Sequence, residues 1–203
     1  MKPSPTRLLL SAAAFCVSLW LAGCASSTPV QAPPLVPGER VSVSQFDDYW
    51  FAAARQGRWD VLDSLLQAGY PIDRANPRGF TAIILAAYNG HPDTVQQLVQ
   101  AGADACLGDN SGNTALMGAL FKGELASAKV LLDTRCDLNQ ENNSGETALT
   151  FATLFGRYDI MPALIAHGAD PNHQGGHGNT PLRTAQTQGN RQAEDVLKRL
   201  GAD

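Results

Sequence analysis

Glycine recurs at positions 79, 112, 145 and 178, and in a second series at 57, 90, 123, 156 and 189. Leucine recurs at 65, 98, 131, 164 and 197. All three series step by 33 residues and keep one register. A fixed period of this size means stacked supersecondary units, each unable to bury its apolar face alone. The period divides the chain after Gln45 into units 46–78, 79–111, 112–144, 145–177 and 178–203, the last truncated.

Within a unit the local chemistry is helix–turn–helix, so the fold class is all-α. Thr81, Thr114, Thr147 and Thr180 stand where an N-cap is needed, with hydroxyl oxygens able to accept from unpaired amides. Small and apolar residues follow, as in Ala82-Ile83-Ile84-Leu85-Ala86-Ala87. The second glycine series ends each first helix, because glycine enters the left-handed region at little cost. A second amphipathic run comes next; in Thr94-Val95-Gln96-Gln97-Leu98-Val99 the apolar positions 95, 98 and 99 share one face. Segments such as Gly102-Ala103-Asp104 then lead into polar loops.

These residues resemble ankyrin repeats. Gly178-Asn179-Thr180-Pro181-Leu182 is similar to the start of the family pattern, and Ala86-Ala87-Tyr88-Asn89-Gly90-His91 to its end. The sequence departs from the pattern in three places. Ala82, Ala115 and Ala148 replace its proline, and Ile84, Met117, Thr150 and Arg183 replace its loop-bridging histidine. Thr134-Arg135-Cys136-Asp137 replaces the glycine-containing turn of the third unit. Pro162 must fall in the first turn of its helix. The resemblance implies an ankyrin solenoid of about five units with finger loops, and a structural place for His91.

The terminal units read as caps. Trp50 is in register with Ile83, Leu116, Leu149 and Leu182, so it is expected in the core among the other first-unit aromatics Phe46, Tyr49, Phe51 and Trp59. In the last helix Lys198 stands where inner units carry Val99, Leu132 and Ile165, giving the end of the stack a polar outer side.

The N-terminus follows other rules. Lys2 and Arg7 precede a run from Leu8 to Ala22 that suits a secretory signal and is short for a membrane span. It closes on Leu21-Ala22-Gly23-Cys24, which resembles the lipobox of bacterial lipoproteins. The resemblance implies cleavage after residue 23 and acylation of Cys24, with acyl chains that hold the protein to a membrane. Ala25 follows, not the aspartate of inner-membrane retention, so the expected address is the outer membrane, facing the periplasm. Residues 24–45, with Pro29, Pro33, Pro34 and Pro37, read as a lipidated tether whose part after Cys24 could reach about 65 Å if extended. The repeat domain is then 46–203.

Composition excludes several functions. The formal net charge is −4, and removing Lys2 and Arg7 lowers the 15 bases to 13 against 19 acids. Such a chain offers no basic face for nucleic acid. No phosphate loop, metalloprotease helix or serine elbow occurs, so no catalytic residue, cofactor or enzyme activity is expected. Asp170, His173 and His177 share one glycine-rich loop, but the loop is short and exposed and is not read as a metal site. Cys106 aligns with Asn139 and Cys136 with Ala103; on that offset the two thiols are expected to stay unbridged.

In ankyrin proteins the pair before each helix-ending glycine, and the finger loops, face the concave side. Carried over, the pairs are Arg55-Gln56, Tyr88-Asn89, Phe121-Lys122, Leu154-Phe155 and Thr187-Gln188. Tyr88, Phe121, Leu154 and Phe155 are expected to form an apolar stripe of the kind binding hot spots use. Phe80, Asn113, Glu146 and Asn179 belong to its finger-loop rim, together with Arg74, Asn76, Arg78, Asp109, Asn110, Glu141, Asn142, Asn143 and His173. The expected function is a lipid-anchored module that binds a protein partner in the bacterial envelope. The alternative is an immunity or inhibitor protein occluding a periplasmic toxin or hydrolase.

Overall fold

The computed structural model describes residues 43–203. The expected signal peptide, Cys24 and most of the tether lie outside the described residues. A 3-10 turn, Val43–Phe46, takes in the last three residues assigned to the tether and leads into the first helix.

Ten α-helices follow in five antiparallel pairs, with no strand among the described residues. The pairs are α1 (Asp47–Gln56) with α2 (Trp59–Gln67), α3 (Ala82–Tyr88) with α4 (Pro92–Gln100), and α5 (Ala115–Lys122) with α6 (Leu125–Leu132). The last two are α7 (Ala148–Leu154) with α8 (Met161–Ala166), and α9 (Pro181–Thr187) with α10 (Arg191–Arg199). This is the all-α repeat fold expected from the period.

The threonine caps hold in three units. Thr114, Thr147 and Thr180 accept from the amides of Met117, Thr150 and Arg183. Thr81 has the same extended backbone, but its buried hydroxyl makes no hydrogen bond. Pro162 lies in the first turn of α8, where its missing N–H is tolerated. The chain just ahead of it, Tyr158–Ile160, tightens into a 3-10 turn, so this second helix starts later than its counterparts.

The core runs the length of the stack. First helices pack in sequence, α1 on α3, α3 on α5, α5 on α7 and α7 on α9. Their closest line is Ala53, Ala86, Ala119, Ala152 and Ala185, each at most 4% exposed; a small side chain here lets successive helices approach. Above it Trp50, Ile83, Leu116, Leu149 and Leu182 are all buried, Trp50 completely. The leucine series 65, 98, 131, 164 and 197 is buried from the second helices. At the N-terminal end Trp50 packs against Tyr70 with ring centroids 4.8 Å apart and planes tilted by 36°. The Tyr70 hydroxyl donates to Asp47 Oδ1 at 2.6 Å, and Arg74 Nη2 donates to Asp47 Oδ2 at 2.9 Å. Arg74 holds the Asp47 carboxyl below the usual carboxylate range, while burial pushes the Tyr70 phenol up. At the other end Lys198 is exposed and pairs with Glu194 at 3.6 Å, the polar outer side that a terminal unit needs.

The finger loops order themselves without the family's bridging histidine. Asn76, Asp109 and Asn142, in one register, each accept two amides of their own loop through Oδ1. Successive fingers then join through backbone: Asn110 N–H donates to Arg78 O, and Asn143 N–H to Ser111 O. Two glycines of the first series are required by this approach. Gly79 has φ 82°, and a Cβ there would meet the Asn110 backbone nitrogen at 2.5 Å; at Gly145, with φ 73°, the neighbour is the Gly176 nitrogen at 2.3 Å.

One expectation is overturned. Cys106 and Cys136 form a disulfide, with Cα atoms 5.2 Å apart. Comparing positions 33 apart was the wrong measure, because the loop that leaves each second helix runs diagonally onto the next unit. Residues in register with Cys106 show the offset. Asp73 accepts from Asp104 N–H, Asn139 from Asp170 N–H and Asn172 from Asp203 N–H, each across 31 residues. Cys106 reaches Cys136 across 30 residues and so replaces this clamp by a covalent bond.

Cys136 falls in the unit that lacks the glycine turn, and Cys106 in the unit before it. In the other four units the carbonyl of the buried leucine accepts a backbone amide five residues on, as from Tyr70 to Leu65 and Ala103 to Leu98. In the third unit the Thr134 hydroxyl takes the Leu131 carbonyl instead, at 2.6 Å.

Candidate functional site

The last residues of the first helices and the tips of the fingers face each other across an open trough. Its central part is a groove of about 440 Å³. Six of the ten residues expected to bind a partner line it: Phe80, Tyr88, Asn113, Phe121, Glu146 and Phe155. The floor is formed by residues not expected at the site, among them Ile84, Gly118 and Phe151.

The aromatic rings form a connected chain. Tyr88 stacks on Phe121 at 6.0 Å, Phe121 meets Phe155 edge-on at 4.9 Å, and Phe155 leans on Phe151 at 5.7 Å. Tyr88, Phe121 and Phe155 are 36%, 43% and 36% exposed, although the core beneath them is closed. The stripe does not follow the register throughout. It runs from Tyr88 to Phe121 one unit on, then steps sideways to Phe155. Leu154, the residue in register, is half-buried and outside the groove.

The remaining expected residues are distributed around this centre. Lys122 places Nζ 5.2 Å from the Tyr88 ring centre and does not line the groove. Asn89 lines an adjoining trough toward the first unit, with Arg55, Asn76 and Arg78. Asn179, in the fourth finger, lines a smaller recess of about 270 Å³ with His177 and Glu146. The floor had one signal in the sequence. Positions 85, 118, 151 and 184 read Leu, Gly, Phe, Thr, and the glycine opens a notch between two large side chains. A Cβ at Gly118 would meet only Tyr88 Cδ2, at 3.7 Å.

Inter-unit bonds account for other polar residues. His91 Nε2 bonds the Arg55 carbonyl at 2.8 Å, and Arg157 reaches the carbonyls of Leu120 and Phe121 from the position in register two units on. His173 pairs with Glu141 at 2.9 Å, and Asp170 accepts the Asn172 amide, so both act between or within loops. Among the described residues no group of three His, Cys, Asp or Glu could hold a metal ion.

Family models for ankyrin repeats match residues 50–142, described as three copies, and 131–185, described as many copies. The chain belongs to the ankyrin-repeat family. The two matches overlap and together cover the stack from Trp50 in α1 to Ala185 in α9. They take in the divergent first unit and the third unit with its altered turn. No curated protein matches the chain. Ankyrin repeats are, as a class, protein-interaction modules.

Proposed function

We propose that this ankyrin stack holds a protein partner in the groove centred on Tyr88, Phe121 and Phe155, and does so as a lipid-anchored protein of the bacterial envelope. The observation that carries the binding reading is the exposed aromatic chain. The alanine line below it closes the helix packing without it. Rigid aromatic side chains at an exposed, concave face supply contact area at low entropic cost and are typical binding anchors. Asn89, Lys122 and Leu154 sit beside this centre, with Asn179 further along the fingers.

Two independent features support export. One is the N-terminal signal ending at Cys24. The other is the Cys106–Cys136 disulfide, a bond that persists in oxidising compartments such as the periplasm. The outer membrane is the proposed address because Ala25 follows the acylated cysteine.

The test is affinity capture from detergent-solubilised envelopes. Phe121→Ala with Phe155→Ala should remove the captured partner while the melting temperature stays within about 2 °C, since both side chains are exposed. Unchanged recovery would rule out the groove. Fractionation checks the anchor: Cys24→Ala should move the protein from the membrane to the soluble fraction, and retention on the membrane would reject acylation at this cysteine.

A further inference from the structure

We infer that the partner enters the groove with a basic side chain, Arg or Lys. This inference rests on the binding reading above and names the chemistry that it leaves open. Around the notch at Gly118 stand the rings of Tyr88, Phe121, Phe151 and Phe155. The only charged residues lining this groove are Asp109 and Glu146; no base lines it. Neither carboxylate makes an ion pair among the described residues: Asp109 accepts from the Ser111 and Asn113 amides and the Asn113 side chain, and Glu146 from Asn142 Nδ2.

The fold does not need either charge. Asn76 and Asn142, in register with Asp109, hold their fingers through the same pair of Oδ1 bonds while neutral. Glu146 is in register with Phe80, Asn113 and Asn179, again neutral. Two surplus carboxylates in a groove lined by five aromatic rings make a place where a guanidinium or ammonium group meets ring faces and a counter-charge together. Tyr88 already accepts such a cation on one face, from the exposed Lys122. The adjoining trough has the opposite sign, with Arg55 and Arg78 and no acid, and shares Phe80, Ile84 and Tyr88 with the groove. The partner therefore places its basic residue over the second to fourth units and tolerates an acidic one toward the first.

The experiment uses residues 24–203 and pools of ten-residue fluorescent peptides with randomised flanks and a fixed central Arg, Lys, citrulline or Glu. Arg and Lys pools should bind about tenfold more tightly than the citrulline pool, the difference expected of a partly desolvated cation. Asp109→Asn with Glu146→Gln should reduce that preference to under threefold with unchanged melting, since Asn is what neighbouring fingers carry. Gly118→Leu should weaken all pools by filling the notch. Equal binding of the Arg and citrulline pools, preference for Glu, or no binding by any pool would overturn the inference of a basic side chain. So would self-association of the protein that Phe121→Ala abolishes, because the occupant would then be a second copy. None of these outcomes alters the envelope-capture result, so failure here is separable from failure of the binding reading.

Discussion

Leu149→Ala is expected to lower the unfolding free energy by about 3–4 kcal/mol. Leu149 is fully buried in α7, which packs on α5 before it and α9 after it. The methylenes removed leave a cavity that helices packed on both sides cannot close. Leu182 provides the control. It is in register one unit on, 7% exposed, and lies in the last unit, which has a neighbour on one side only. Leu182→Ala should cost about half as much. A repeat stack is stabilised by its units and by the interfaces between nearest neighbours. Weakening the fourth unit should therefore also reduce cooperativity, seen in urea titration as a smaller denaturant slope for Leu149→Ala than for Leu182→Ala. Equal losses at both positions would show that the stack does not behave as a chain of nearest-neighbour interfaces.

The second large effect is expected at the disulfide. Opening a bridge between residues 30 apart releases chain entropy worth about 3.5 kcal/mol in the unfolded state. For a domain of this size that lowers the melting temperature by roughly 10 °C. The measurement compares Cys106→Ser with Cys136→Ser, and the unaltered protein melted with and without dithiothreitol. Position and chemistry both support a large effect. The other boundaries of this kind use Asp73, Asn139 or Asn172 as a hydrogen-bonded clamp, and this boundary has none. The third unit also carries Arg135 where its neighbours carry Gly102 and Gly168, whose φ values of 94° and 105° a side chain rarely adopts. Restoring the clamp with Cys106→Asn, Arg135→Gly and Cys136→Ala should recover part of the loss without any thiol. A reduced protein that melts unchanged would reduce the bridge to a bystander.

Much of the fold was legible because repetition multiplies weak signals. A single glycine or leucine says little, but three series in one register place every helix and every turn of the stack. The cap threonines were readable for the same reason, and three of four make the expected bond. Thr81, as buried as Thr147, does not. Pro162 was expected in the first turn of its helix and lies there. Six of the ten residues expected to meet a partner line the central groove, because the position of a side chain on a repeat decides which way it faces. Leu154, expected in the same stripe, is half-buried and outside the groove: register gives direction, but whether a side chain stays exposed depends on neighbours, and here Phe155 continues the aromatic chain. Gly118 and Phe151 were passed over because first-helix inner positions normally vanish into the core.

By itself, the sequence determined the period, the all-α class, the number of units and the polar ends. These follow from local propensity and spacing that no neighbour can override once repeated five times. The proposed export signal ahead of Cys24 would likewise be a property of linear sequence. The tertiary structure decided what lies between units. Where loops leave a second helix, contacts cross diagonally at offsets of 29 to 31 residues, whereas the finger tips meet at 32 or 33. That displacement joins Cys106 to Cys136, and the facing of helix ends and fingers brings Asp109 and Glu146 beside the aromatic rings. The period is set within each unit, whereas the offset arises only when one unit is laid against the next.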